Sequence, residues 1–206
     1  MLQVDASTVT QLPAIKVHTD SECGDKPSFV VFLPGESCDD YTLDECMSDD
    51  SDNTTSFSVS CTNNYRTLTD TVFGNTSYLI TELYEDGTEC GTLVSVVVYT
   101  LDGKCHGFSG VGSQVTLNAN NSITVIQDTD GTCTELDYST LDTIPSDMIN
   151  SGECFEHSVV VYTNEGANTT TTSTTTGDAK SFAMTSFVTP MLAILVSVVV
   201  QTIFAL

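Results

Sequence analysis

Eight cysteines carry the most legible chemistry in this chain: Cys23, Cys38, Cys46, Cys61, Cys90, Cys105, Cys133 and Cys154. Zinc sites draw their ligands from close pairs such as C-x2-C, and the sequence has no such pair. An even number of thiols spread along residues 23–154 predicts a disulfide framework instead, and with it an oxidising compartment. Which thiol joins which stays open, because eight cysteines allow on the order of a hundred connectivities. Cys23 with Cys38 is the one pair disfavoured. The apolar run from Ser28 to Leu33 between them spans ~20 Å as a strand at ~3.3 Å per residue, whereas bridged Cα atoms lie within about 7 Å.

The other reactive groups name no catalytic set. There are three histidines, His18, His106 and His157. Gly107-Phe108-Ser109-Gly110 approaches a nucleophile elbow, but Val111 occupies the last position of G-x-S-x-G, which leaves a glycine-rich loop beside Cys105. Of the 28 acids only Asp178 lies beyond Gly177, so chance proximity of carboxylates is guaranteed and gives no weight to glycoside hydrolysis. Neither Asp49-Asp50-Ser51-Asp52-Asn53 nor Asp128-Thr129-Asp130-Gly131 completes a calcium loop with its glycine and terminal glutamate. Solvation accounts for the first and turn formation for the second. The expectation is no catalytic residue, no cofactor and no metal. Four N-x-[ST] sequons, at Asn53, Asn75, Asn120 and Asn168, are candidate glycosylation acceptors.

Charge and the two ends set the expected topology. Five Lys+Arg against 28 Asp+Glu leave a net charge of −23, and a surface this acidic repels phosphate backbones, which excludes nucleic acid as a partner. Residues 181–206 contain no charge, and residues 191–206 read MLAILVSVVVQTIFAL. Gly177-Asp178-Ala179, an 11-residue spacer over 180–190 and this apolar tail follow the grammar of a GPI-attachment signal, with Gly177 as the attachment site. Ser173 and Ser181 compete for that role, and a retained membrane helix is the alternative, since roughly 20 apolar residues span a bilayer. The preceding NTTTTSTTT, residues 168–176, has no apolar face and matches an O-glycosylated stalk. At the other end, MLQVDASTVTQLPAIKV shows no signal peptide. Either a leader is encoded upstream, or the chain is tail-anchored with its main domain in the cytosol. The cysteines and sequons favour the leader.

The elements that must position these groups read as strands. Apolar runs at residues 29–33, 78–84, 94–99, 115–117, 123–126 and 159–162 are short, and no stretch shows a convincing 3.6-residue period. Pro34-Gly35, Asp86-Gly87, Asp102-Gly103 and Asp130-Gly131 punctuate them as turns. There is an internal repeat: Glu22-Cys23-Gly24, then Ser28-Phe29-Val30-Val31-Phe32 and Cys38, recurs 67 residues on as Glu89-Cys90-Gly91, Ser95-Val96-Val97-Val98-Tyr99 and Cys105. A third copy starts at Glu153-Cys154 and repeats SVVVYT. The predicted fold is all-β, with disulfide-stabilised antiparallel sheets built from two similar units. It divides into an ectodomain over 1–165, a Thr/Ser-rich stalk over 166–180 and a C-terminal hydrophobic segment over 181–206.

The order FGNTSYLITELYEDGTEC, VVVYTLDGKCHGFSG, ITVIQDTDGTC and GECFEHSVVVYTN resembles the cysteine-rich ectodomains of oomycetes, which occur secreted, surface-attached, or in front of tyrosine-kinase-like kinases. The resemblance covers about residues 15–165 and rests on Cys90, Cys105-His106, Cys133 and Cys154 with their flanking strands. It implies a surface or sensing role without catalysis; no kinase segment is present to carry over. The expected function is a non-enzymatic cell-surface glycoprotein ectodomain on the outer face of the plasma membrane, serving recognition or wall-surface architecture. Its expected partners are the membrane, through the C-terminal anchor, and an extracellular protein or carbohydrate ligand. A tail-anchored protein facing the cytosol and a surface hydrolase are the alternatives.

Overall fold

Dense β-branched residues and frequent tight turns resolve, among the described residues, into eleven strands and one α-helix. The computed structural model describes residues 11–48, 54–128, 131–133 and 143–165. The elements are β1 (Leu12–His18), β2 (Phe29–Phe32), β3 (Cys46–Ser48), β4 (Ser56–Thr62), α1 (Tyr65–Phe73), β5 (Tyr78–Tyr84), β6 (Leu93–Thr100), β7 (Cys105–Phe108), β8 (Val111–Leu117), β9 (Ile123–Asp128), β10 (Thr143–Ile144) and β11 (Val159–Thr163), with a 3-10 turn over Cys38–Asp40. They form a seven-stranded sheet, β11-β5-β6-β2-β1-β4-β3, and a four-stranded sheet, β10-β9-β8-β7. Every pairing is antiparallel.

The uninterrupted apolar runs of β2 and β6 follow from burial on both faces. Phe29, Val31, Val97 and Tyr99 point into a core shared with Phe108, Val115, Ile123 and Val125 of the small sheet. Val30, Phe32, Val96 and Val98 point the other way and meet Phe73 of α1. A strand covered on both sides has no solvent face to alternate with, so period 2 vanishes from its hydropathy.

The helix departs from the expectation that no 3.6-residue period exists. Tyr65, Leu68, Thr69, Val72 and Phe73 all face the sheet, at i, i+3, i+4, i+7 and i+8. Thr69 takes one of those places and the run is only nine residues long, so the apolar stripe is faint. Its ends are clearer. The Asn64 side chain accepts the Thr67 N–H at 3.1 Å, and Gly74, at φ 57°, closes the helix with its N–H on Asp70 O at 2.9 Å.

The repeat acquires a structural meaning limited to two hairpins. β1–β2 and β5–β6 lie side by side, with Val31 opposite Val97 at their junction. The pair Ala14↔Phe32 in the first corresponds to Ile80↔Val98 in the second, an offset of 66. The sequence offset of 67 would instead match Val30 to Val97, which face opposite sides. The second hairpin also carries a bulge, where Leu83 pairs with Ser95 but Tyr84 with Leu93. Beyond the hairpins the halves diverge: β3 and β4 stay in the large sheet, while β7 to β10 build the small one.

Strand directions sort the loops between two poles. β1, β6 and β11 run one way, and β2, β4 and β5 the other. One pole holds residues 19–28, the turn at 74–77, the link from Thr100 to Cys105, and Glu165. There the end of the described chain is latched: Asn164 accepts the Tyr78 N–H at 2.9 Å and donates to Thr76 O at 3.0 Å. The opposite pole gathers residues 33–41, 63–64, 85–92 and 153–158. Those four links carry eight carboxylates and not one Lys or Arg. The stalk and C-terminal segment lie outside the described residues. No described helix is long and apolar enough to cross a membrane.

Candidate functional site

All eight cysteines are bridged, as Cys23–Cys46, Cys38–Cys61, Cys90–Cys154 and Cys105–Cys133, with Cα–Cα distances of 5.9, 6.2, 5.9 and 5.8 Å. Cys23 and Cys38, disfavoured as a pair, are not joined. The bonds sit at strand ends and loops, where they hold neighbouring segments that no ladder connects. Four disulfides are consistent with a secreted or extracellular protein.

Each histidine is placed against a carboxylate. His18 Nδ1 lies 3.1 Å from Asp25 Oδ1, and His157 Nδ1 lies 3.0 Å from Glu89 Oε1 across the Cys90–Cys154 bridge. His106 is the one beside a hydroxyl. Its Nε2 meets Asp102 Oδ1 at 3.0 Å and Thr100 Oγ1 at 3.1 Å. A nucleophile relay needs the acid on one ring nitrogen and the hydroxyl on the other. Here both address the same nitrogen, and the Thr100 hydroxyl donates to Ser28 O. Ser109 occupies the β7–β8 turn at φ 50°. Among the described residues no group of three or more His, Cys, Asp or Glu side chains could hold a metal ion.

The densest polar arrangement was not singled out by the sequence. Glu82, on the α1 side of β5, is 4% exposed. Its Oε1 accepts from the Tyr65 hydroxyl and from Arg66 Nη2 (2.7 Å), and its Oε2 from the Tyr84 hydroxyl at 2.8 Å. The Arg66 guanidinium lies 3.9 Å from the centre of the Tyr162 ring. Burial pushes the Tyr65 phenol up to about 12, and its bond to Glu82 adds to the rise. Tyr84 is raised for the same two reasons. Burial opposes the charge on Arg66, but its bonds to Tyr65, Tyr162 and Glu82 outweigh it and hold the group above its ordinary range. Three donors on one carboxylate leave little acceptor capacity for a ligand, so this network's work is to pin α1 onto β5 and β11. Its signal in the sequence is the lone acid inside the apolar run YLITELY, together with the chain's one arginine.

An open groove of about 470 Å³ lies at the acidic pole, lined by Gln11, Gly35, Glu36, Ser37, Cys38, Asp39 and Asn63. The Ser37 hydroxyl accepts the Asp39 N–H at 3.2 Å and so starts the 3-10 turn. Cys38–Cys61 ties the wall carrying Glu36 and Asp39 to the strand end that carries Asn63. None of these side chains but Cys38 stood out in the sequence, because the groove is assembled from three separate links.

Two sequons are visible. Asn75 is exposed on the turn from α1 to β5, and Asn120 is exposed on the β8–β9 turn, where its Oδ1 accepts from the Ser122 hydroxyl at 2.7 Å. Asn53, Asn168 and Gly177 lie outside the described residues.

No protein family, no curated protein and no solved structure matches this chain. The fold itself defines the class: a disulfide-stapled, antiparallel two-sheet domain with one helix on its outer face.

Proposed function

We propose that the chain is a non-enzymatic cell-surface ectodomain of recognition or wall architecture, held on the outer face of the plasma membrane by its C-terminal segment. The observation that carries this reading is the use of every cysteine in a disulfide, which supports folding in an oxidising compartment. The Thr-rich stretch and the charge-free tail supply the tether, as a GPI anchor or a retained helix. The exposed Asn75 and Asn120 are available to carry glycans, and the resemblance to oomycete surface ectodomains points the same way.

Expression in a eukaryotic host with a leader supplied tests it. Intact cells should react with a membrane-impermeant label, phosphatidylinositol-specific phospholipase should release the protein, and glycosidase should lower its mass. A retained helix would resist the phospholipase but not the label or the glycosidase. Eight alkylatable thiols and no surface label would overturn the reading.

A further inference from the structure

We infer that the groove over Gln11, Glu36, Asp39 and Asn63 binds a short stretch of an amino-sugar polymer, a glucosamine-type chain bearing ammonium and hydroxyl groups. This names the ligand of the surface reading above and rests on it. Three observations converge. The groove, about 470 Å³, is of the size of small-ligand sites (roughly 300–1,000 Å³) but open, which admits a chain passing through rather than an enclosed molecule.

Its lining selects chemistry. Glu36 and Asp39 accept from a cation and repel anions, while Gln11 and Asn63 each offer both a donor and an acceptor, the match for hydroxyls. Among the described residues no aromatic or aliphatic side chain lines it, so a flat apolar ligand finds no partner there. Neither Lys nor Arg stands on the four links of this pole to compete for the carboxylates.

Its position is the third observation. The chain leaves the large sheet at Glu165, at the opposite pole, roughly 24 Å away for a seven-residue strand at ~3.4 Å per residue. A C-terminal tether would therefore leave from the pole that does not hold the groove. Because Cys38–Cys61 joins its walls, binding orders little additional chain.

The test is calorimetry on the full chain in detergent micelles, with glucosamine oligomers, their N-acetylated counterparts, glucose oligomers of equal length, and oligolysine of matched charge. Glucosamine oligomers should bind, and each of Glu36→Gln and Asp39→Asn should weaken binding about tenfold, the scale of a charged hydrogen bond. N-acetylation should weaken it at least about as much. The paired control Glu85→Gln with Asp86→Asn, on a neighbouring link of the same pole, should change affinity less than about twofold. Circular dichroism of each variant establishes that the fold is kept. Absence of binding, equal loss in the control pair, or equally tight oligolysine binding would each overturn the inference. A protein that is surface-labelled and phospholipase-released yet ignores glucosamine oligomers would overturn this inference alone and leave the surface reading standing.

Discussion

Glu82 shows how one carboxylate organises a region. It is buried, while its partner Arg66 keeps a 46% exposed side chain, so removing the acid leaves a cation that water can still reach. Glu82→Gln should therefore cost about 2–3 kcal/mol, below the roughly 3–5 of a fully buried pair, as read from urea midpoints. Arg66→Ala should cost a comparable amount, and a double-mutant cycle should return a coupling near 1 kcal/mol or more. The tyrosines add a pH signature. Tyr65 and Tyr78 are pushed up to about 12, first by burial and then by bonds to Glu82 and Asp70. A group whose folded value lies above its unfolded one, about 10 for tyrosine, stabilises fully below pH 10 and loses that contribution as pH rises towards 12. Urea midpoints should fall between pH 10 and 12, with the phenolate absorbance appearing as the fold is lost. Tyr65→Phe should flatten that fall. An unchanged midpoint across this range would contradict the geometry.

At the scale of elements, α1 depends on its ends because its stripe is short. Asn64→Ala removes the side chain that accepts the Thr67 N–H and should cost about 1 kcal/mol. Gly74→Ala should cost about 1–2 kcal/mol for a different reason. An added Cβ would meet nothing nearer than Lys26 Nζ at 3.9 Å, so the penalty is conformational, from φ 57° with ψ −118°. Thermal unfolding of both variants checks this, and a steric account would reverse their order of explanation, since Asn64→Ala also creates space. The edge strand β11 is covered by Phe155, whose N–H donates to Val159 O at 2.7 Å and whose O accepts from Val159 N–H at 3.0 Å, and by Asn150. Asn150 donates its N–H to Val161 O and accepts from Thr163 N–H, both at 3.0 Å, which occupies backbone groups that would otherwise template another strand.

For the whole molecule, the disulfide map is the most direct check. Peptide mapping without reduction should recover Cys23–Cys46, Cys38–Cys61, Cys90–Cys154 and Cys105–Cys133. Replacing Cys90 and Cys154 together should destabilise most, by about 4 kcal/mol against about 3 for Cys23 with Cys46, because that bridge spans 64 residues rather than 23. The net charge of −23 sets a background of self-repulsion. Raising ionic strength from about 0.01 to 0.5 M, which shortens the screening length severalfold, should raise Tm by a few degrees. A salt-independent Tm would mean that the acids are too far apart to repel.

Composition and local pattern were enough for the strand-rich class, the turns at Pro34-Gly35 and Asp86-Gly87, and the disulfide state of the cysteines. Each of these follows from short-range chemistry: β-branching, positive-φ glycine, and the absence of close cysteine pairs. They were not enough for the helix, where Thr69 stands in the apolar stripe and β-propensity dominates the surrounding runs. The pairing of the thiols, the Glu82 network and the groove depended on contacts between residues far apart in the chain. Glu82 meets Arg66 across 16 residues, and Gln11 meets Asn63 only because β1 and β4 are neighbours in the sheet. A 67-residue repeat was legible, yet strand pairing relates the two hairpins at an offset of 66, and that one-residue difference sets residues matched by the repeat on opposite faces of the sheet.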